Sequence, residues 1–362
     1  MKTETQPDSE RLSRRSVVRG GLLLTLGAGV GFAARGHSPA VAASPATPQA
    51  SPVAGWSFTD DRGVTVTLPE MPTRVLAQVN AAASLWDFGV RPVGIWGPAR
   101  TSRGEPHSNA GRIDLDTVTS VTEGWSEPDL ERFLALDPDL IVSTVWAPDD
   151  PVLWGIYPEE VQTQVDAIAP SAAILVAGVT LDTLIGRFGD LAAALGADLA
   201  TPELDRARAD FAAAQERLAA AIAAKPGLRV LFCGAYDEAL WTSSDTTRPD
   251  LRLFADLGMT IVTVAEGEPY SDVSWEQVGR LPADLVVFDA RVDTGYPSLA
   301  ETIEKAPTLA QHPAVVAGQT AGWQYEYVMS YQGATEMLNE LAAAIEAADV
   351  LTEAFPADGD VD

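Results

Sequence analysis

The segment from Pro202 to Ala224 most constrains the fold, because its apolar residues recur at helical spacing over more than twenty positions. Thr201 is suited to cap the start of this helix, Pro202 fits the first helical position, and Lys225-Pro-Gly227 ends it. At about 1.5 Å per residue the helix is about 35 Å long, roughly the diameter of one domain. It predicts a helical connection between two lobes.

The sequence on both sides of this helix alternates apolar, β-branched runs with helical segments. Asp139–Val145 is typical of the first block, and Leu228–Cys233 and Asp284–Asp289 are typical of the second. Strands that alternate with helices form parallel sheets whose faces the helices cover. We therefore predict an α/β fold of two Rossmann-like lobes with parallel sheets, joined by a single long bridging helix. The expected divisions are an N-terminal lobe at residues 56–200, the helix at 201–225 and a C-terminal lobe at 226–362.

Residues 1–42 have the form of an export signal. Ser13-Arg-Arg-Ser-Val-Val-Arg19 matches a twin-arginine signal, the apolar stretch Gly20–Ala34 follows it, and Ala40-Val-Ala42 suits cleavage. The apolar stretch is shorter than the about 20 residues of a membrane span, although an uncleaved N-terminal anchor remains the alternative. Residues 43–55, rich in Pro, Ala and Ser, predict a linker. We expect export by the twin-arginine route to a periplasmic or extracellular location at the cell envelope.

Charge and motif content argue against several function classes. The chain has 51 acidic and 24 basic residues, a formal net charge of −27 that disfavours nucleic acid as a partner. Cys233, the only cysteine, lies in an apolar run and is expected to be buried and inert. His107 and His312 are not paired at metal-ligand spacing, and the chain after the leader has no hydrolase, metalloprotease or phosphate-loop motif. We therefore expect no enzymatic activity, no cofactor and no bare-metal site.

Several short signatures follow one another in a fixed order along residues 56–350. They are Pro72-Thr-Arg-Val, Phe88–Gly94, Glu127–Val142, Ala167-Ile-Ala-Pro170, Leu191–Gly196, Val273-Ser-Trp-Glu-Gln-Val278 and Leu281–Val287. In this order they resemble the iron-siderophore and cobalamin class of periplasmic substrate-binding proteins of ABC importers. The resemblance implies a rigid, monomeric, two-lobed protein that captures a ferric siderophore in the cleft between its lobes. Cobalamin is the alternative ligand, and a secreted enzyme or an adhesin is the alternative class.

The resemblance also implies that one surface glutamate of each lobe docks onto the permease dimer. The matching positions are Glu131, in Asp-Leu-Glu-Arg-Phe, and Glu276, in Ser-Trp-Glu-Gln-Val. Two carboxylates at a fixed separation would orient the complex. The alternative is that both are ordinary acidic residues in first helical turns, where the helix dipole favours them.

Large aromatic and arginine residues follow the predicted strands, where ligands of parallel α/β folds bind. Trp146 follows Leu140–Val145, Trp241 is expected in a loop after the Cys233 strand, and Trp323 follows a strand expected at Val315–Ala317. Broad aromatic faces and forked donors suit a bulky chelate with an apolar rim and an oxygen-rich metal core. For each residue, core packing or solvent exposure is the alternative. The predicted ligand-binding residues are Trp96, Arg100, Trp125, Trp146, Tyr236, Trp241, Arg248, Tyr270, Arg291, Trp323 and Tyr325.

Overall fold

The computed structural model describes residues 55–351, except residues 123, 126, 127, 151, 158, 266, 267 and 292–295. The predicted leader and all but the last residue of the predicted linker lie outside these ranges. None of the helices in the described ranges has the length and apolar character needed to cross a membrane.

The first part of the chain forms a hairpin and a parallel sheet. Its strands are β1 (Trp56–Thr59), β2 (Thr65–Leu68), β3 (Val75–Gln78), β4 (Gly94–Trp96), β5 (Thr119–Ser120), β6 (Leu140–Val145) and β7 (Ser171–Leu175). Its helices are α1 (Val79–Asp87), α2 (Leu130–Ala135), α3 (Glu159–Asp166) and α4 (Leu181–Ala194). β1 and β2 pair antiparallel, and the sheet has the order β5-β4-β3-β6-β7 with every neighbouring pair parallel. The central strands β3 and β6 are buried throughout, which explains why they are apolar runs without alternation.

The predicted bridging helix is α5, Pro202–Ala224. The Thr201 hydroxyl accepts a hydrogen bond from the backbone N–H of Leu204, and Pro202 occupies the first turn, where no N–H is needed. The helix buries one stripe of side chains that includes Phe211 and Leu218. Burial of each such side chain contributes about 1.5–3 kcal/mol, so packing holds this helix in place.

The chain after α5 forms a second, mixed sheet. Its strands are β8 (Arg229–Ala235), β9 (Ala239–Ser243), β10 (Thr260–Ile261), β11 (Tyr270–Ser274), β12 (Leu285–Asp289) and β13 (Thr320–Trp323). Its helices are α6 (Pro249–Asp256), α7 (Trp275–Val278), α8 (Leu299–Lys305), α9 (Pro307–Ala310), α10 (Pro313–Val316) and α11 (Tyr331–Ala347). The order is β11-β9-β8-β12-β13, with β10 beside β8. β8, β10, β12 and β13 are parallel, whereas β9 and β11 run antiparallel to their neighbours. The predicted α/β class with two helix-bridged sheets is confirmed.

Two local predictions in this second part are wrong. Trp241 lies in β9 rather than in a loop, because the chain reverses after β8 through a turn in which the Tyr236 N–H donates to the Ala239 carbonyl. Val315–Ala317 is the end of α10 rather than a strand, because His312 caps that helix and Pro313 fits its first position. The expected burial of Cys233 is confirmed, since its side chain is fully enclosed in β8.

Helices and polar contacts join the two parts. α11 packs along α5, and Phe211 of α5 lies against Tyr331 of α11 with ring centroids 5.7 Å apart. The loop before α11 also holds α1, because the Met329 N–H donates to the Ser84 hydroxyl at 3.0 Å and Ser330 donates to Asp87. α1 belongs to the first sheet, and α11 follows the second. These contacts therefore fix the two sheets beside each other.

Candidate ligand-binding cleft

A cavity of about 270 Å³ lies between residues of the two sheets. Its walls are mostly aromatic and apolar, with a few amide, hydroxyl and charged groups, which is the usual make-up of a small-molecule site. The lining residues are Gln78, Asn80, Thr144, Val145, Trp146, Trp154, Val176, Arg248, Pro249, Tyr270, Tyr325, Glu326, Tyr327 and Met329.

The first sheet contributes the ends of β3, β6 and β7 and the start of α1. Because β6 ends at Val145, Trp146 comes directly after a buried strand and reaches the cavity. Gln78 caps α1 by accepting from the Ala81 N–H at 3.0 Å, and its amide donates to the Asn80 side chain at 3.0 Å. Asn80 in turn donates to the backbone carbonyl of Glu326 at 3.1 Å. The two amide side chains are thus held in place, and the bond from Asn80 reaches across the cleft.

On the opposite wall, Arg248 directly precedes α6 and is almost fully buried. Its guanidinium donates to the Tyr325 carbonyl at 2.8 Å and pairs with Asp250, with 3.2 Å between Nε and Oδ1. It also lies 4.1 Å from the centroid of the Tyr325 ring and 5.1 Å from that of Trp323. Burial acts to lower the pKa of Arg248, but Asp250 and, to a smaller extent, the neighbouring tyrosines together raise it overall, so the group stays charged.

A second guanidinium, that of Arg291, lies 4.3 Å from the same Tyr325 ring. Arg291 binds Asp289 through Nε and Nη2, at 3.0 Å and 2.6 Å, and donates from Nη1 to Glu326 at 3.2 Å. The other oxygen of Glu326 accepts from Asn109 at 2.7 Å. Burial acts to lower the pKa of Arg291, but the hydrogen bond to Asp289 and the charges of Asp289 and Glu326 raise it overall.

Four of the predicted ligand-binding residues line the cavity, namely Trp146, Arg248, Tyr270 and Tyr325. Two more lie beside it. Arg291 stacks on Tyr325, and Trp125 makes an edge contact with Trp154, at 6.4 Å between ring centroids. The role of these residues as ligand contacts remains a prediction.

The other predicted residues do not reach the cavity. Trp96 and Trp323 are only 1% and 2% exposed, and each is the last residue of a strand rather than a residue that follows one. Trp241 packs against Trp323, with ring centroids 5.9 Å apart. Arg100 is exposed and pairs with Asp116, and Tyr236 contacts Tyr296. These five predicted residues lie outside the proposed site.

Several lining residues, Tyr327 among them, are not in the set of predicted ligand-binding residues. Trp154 lies in the loop after β6, and Gln78 is a polar residue at the end of a buried strand. The position of each relative to its strand could therefore have predicted it as a lining residue. Tyr327 is 9% exposed, and its hydroxyl has no hydrogen-bond partner among the described residues. Glu326 and Met329 lie in a loop with no pattern that marks them.

Glu131 and Glu276 lie away from the cavity. Both side chains are exposed, in the first turns of α2 and α7. This agrees with both sequence interpretations, permease docking and a favourable interaction with the helix dipole.

The fold and its interlobe cavity are those of a substrate-binding protein, and comparison with known proteins gives the family. Residues 84–327 match the family model described as periplasmic binding protein. The chain is 36% identical to DesE, a ferric-siderophore receptor protein from Streptomyces coelicolor, with a TM-score of 0.76 over 82% of this chain and 99% of that chain. Comparison with curated protein sequences gave no significant match. The chain belongs to the periplasmic binding protein family, whose members act outside the cytoplasm.

Two more distant structures share the fold. One is the siderophore periplasmic binding protein from the fuscachelin gene cluster of Thermobifida fusca, with 19% identity and a TM-score of 0.55 over 76% of this chain and 96% of that one. The other is Staphylococcus aureus SirA complexed with staphyloferrin B, with 19% identity and a TM-score of 0.56 over 80% of this chain and 98% of that one.

Proposed function

We propose that this protein captures a ferric siderophore outside the cytoplasmic membrane and delivers it to an ABC permease. One observation carries the proposal. An aromatic cavity with a buried arginine lies between the sheets of a chain that is 36% identical to a ferric-siderophore receptor protein. Binding in such a cavity requires no chemical step, and we assign the chain no catalytic residues.

The chemistry of the lining supports a chelate as the ligand. Trp146, Trp154 and Tyr325 offer flat apolar faces to the organic part of such a molecule. Gln78 and Tyr270 supply neutral polar groups that could bond to oxygen atoms around the metal. Trp154 and Tyr270 are 36% and 37% exposed, so a ligand too large for the enclosed volume can extend over them.

Intrinsic tryptophan fluorescence tests the proposal, because Trp146 and Trp154 line the cavity. The protein is titrated with a ferric trihydroxamate, a ferric tricatecholate and cobalamin. We expect saturable quenching by a ferric chelate, with a Kd on the order of micromolar or tighter, about −8 kcal/mol. Trp146→Phe should reduce both quenching and affinity. The matched control Trp86→Phe removes an indole that stacks on Arg91 outside the cavity and should reduce neither.

Two other outcomes of the titration would change the proposed function. Saturation by cobalamin alone would replace the siderophore with the alternative ligand. An absence of response to a broad panel of loaded siderophores would contradict the proposed function and favour an enzyme or an adhesin.

We also propose that Glu131 and Glu276 dock onto the permease dimer. Both are exposed, and they lie on helices that belong to different sheets, so the pair can contact two permease subunits at once. The surface location suits this role, because carboxylates that become buried on docking require basic partners and so select one orientation.

Export by the twin-arginine route is proposed on the leader sequence alone. The paired Arg14 and Arg15 are the residues that the export machinery would recognise. A variant with both changed to lysine should remain inside the cell, and its normal export would contradict the route.

A further inference from the structure

The charged groups at the cavity fall into two buried clusters. Arg248 faces Asp250, and Arg291 faces Asp289 and Glu326. Two guanidinium groups therefore stand against three carboxylates, so the clusters carry one net negative charge. Building on the proposed function, we propose that the cleft selects a ferric chelate that carries no net negative charge.

The arginines do not offer unpaired positive charge to an anion. The Arg291 side chain is 12% exposed, and all three of its nitrogen atoms bind Asp289 or Glu326. Arg248 forms an ion pair with Asp250, whose side chain is fully buried, and its Nη2 donates a hydrogen bond to that carboxylate at 3.3 Å. An anionic ligand that recruited either guanidinium would have to separate it from its carboxylate and leave that carboxylate buried without a partner. The free energy lost by breaking the buried ion pair would exceed the free energy gained from the new contact.

Glu326 adds direct repulsion, because it lines the cavity itself. Its carboxylate is held by Arg291 on one side and by the neutral amide of Asn109 on the other. An added negative charge in the cavity would face this carboxylate in a partly desolvated space, where charge interactions are stronger than in water. The net charge of −27 on the whole chain acts in the same direction over longer distances.

The other lining groups suit a neutral or cationic molecule. The face of Trp146 can contact a cationic group, whereas the Tyr325 ring already lies against two guanidinium groups and offers its remaining surface to apolar atoms. The Tyr327 hydroxyl, which has no partner among the described residues, is a neutral donor because burial raises its pKa. A ferric ion with three hydroxamates fits this lining, since the charges of metal and donors cancel. A ferric tricatecholate, with three negative charges, does not.

A series of three ferric chelates that share the same iron coordination but differ in net charge tests the inference. Ferrioxamine B carries a free ammonium group, its N-acetyl derivative is neutral, and its N-succinyl derivative carries one negative charge. Calorimetry on the full chain should show affinity falling about tenfold at each step from the cation to the anion, with a ferric tricatecholate weaker still. Added salt should weaken binding of the cation and strengthen binding of the anion.

A charge-neutralising variant provides the second measurement. Glu326→Gln keeps the shape of the side chain and one acceptor for Arg291 but removes one negative charge. The ratio of the Kd of the N-succinyl derivative to that of ferrioxamine B should fall about threefold to tenfold. Glu340→Gln, on the exposed surface of α11, is the matched control and should leave the ratio unchanged. Because both constants come from one preparation, the ratio can be measured even if the variant is partly unfolded.

The outcomes separate the two proposals. Tightest binding by a negatively charged chelate, or equal affinity across the series, overturns the charge selection and leaves siderophore binding intact. An unchanged ratio in Glu326→Gln also overturns it. Failure of every ferric complex to bind overturns the proposed function on which the inference rests.

Discussion

Removal of Arg291 should destabilise the unliganded protein far more than removal of an exposed arginine with similar contacts. The Asp289 and Glu326 side chains are only 4% and 10% exposed, so Arg291→Met leaves two nearly buried carboxylates without their cation. Breaking a buried ion pair from one side costs about 3–5 kcal/mol. Glu326 keeps its bond from Asn109, so we expect a loss of about 4 kcal/mol rather than twice that amount.

Arg217→Met is the matched control. Arg217 forms two hydrogen bonds to the Glu346 carboxylate, but the two side chains are 41% and 47% exposed. Solvent screening makes the contribution of such an exposed pair to stability small. Urea unfolding of both variants and of the unmodified protein, monitored by circular dichroism, gives the free energies of unfolding. If Arg291→Met costs no more than Arg217→Met, the cluster is not the buried electrostatic unit that its geometry indicates.

Two other predictions concern transport and acid stability. The double variant Glu131→Ala, Glu276→Ala should leave chelate affinity unchanged and abolish uptake in reconstituted vesicles, because each lost carboxylate weakens binding to the permease by about 2–5 kcal/mol. Persistent uptake or lost chelate affinity would contradict the docking role. Burial acts to raise the pKa of Asp284, but hydrogen bonds from Arg229 and from backbone N–H groups lower it overall. The ionised Asp284 therefore stabilises the fold at pH values above the pKa that it has in the unfolded chain, and this stabilisation is lost as the pH falls through the lower pKa of the folded protein. Asp284→Asn should therefore cost about 1.5–3 kcal/mol at neutral pH, and urea unfolding below about pH 4 should show a smaller difference. A difference that does not change with pH would refute the assignment.

The fold was predictable because its signals are local. Thr201, Pro202 and the stripe through Phe211 specify one long helix, and buried β-branched runs such as Leu140–Val145 specify parallel strands. Trp146 was predictable for the same reason, since it directly follows a strand. Each of these predictions depends on residues that are close together in the sequence.

The rest of the site depends on contacts that sequence patterns do not contain. Asn80 bonds to the Glu326 carbonyl across 246 positions of sequence, and Arg291 reaches Glu326 from another loop. Trp241 and Trp323 were misplaced because the turn after β8 and the start of β13 were not recognised, and a shift of a few residues moves a side chain from a loop into the core. Aromatic content alone does not distinguish a cleft wall from a core.

The contacts that hold α1 to the loop before α11 also affect how the protein would work with a permease. If Met329 and Ser330 fix Ser84 and Asp87 in the empty protein, the docking surfaces keep the same separation with and without ligand. The permease would then bind empty and loaded molecules with similar affinity, because a partner can discriminate only between states that differ at its own contacts. Excess empty protein should therefore inhibit uptake competitively in reconstituted vesicles, whereas a protein that closes on its ligand would not show this inhibition.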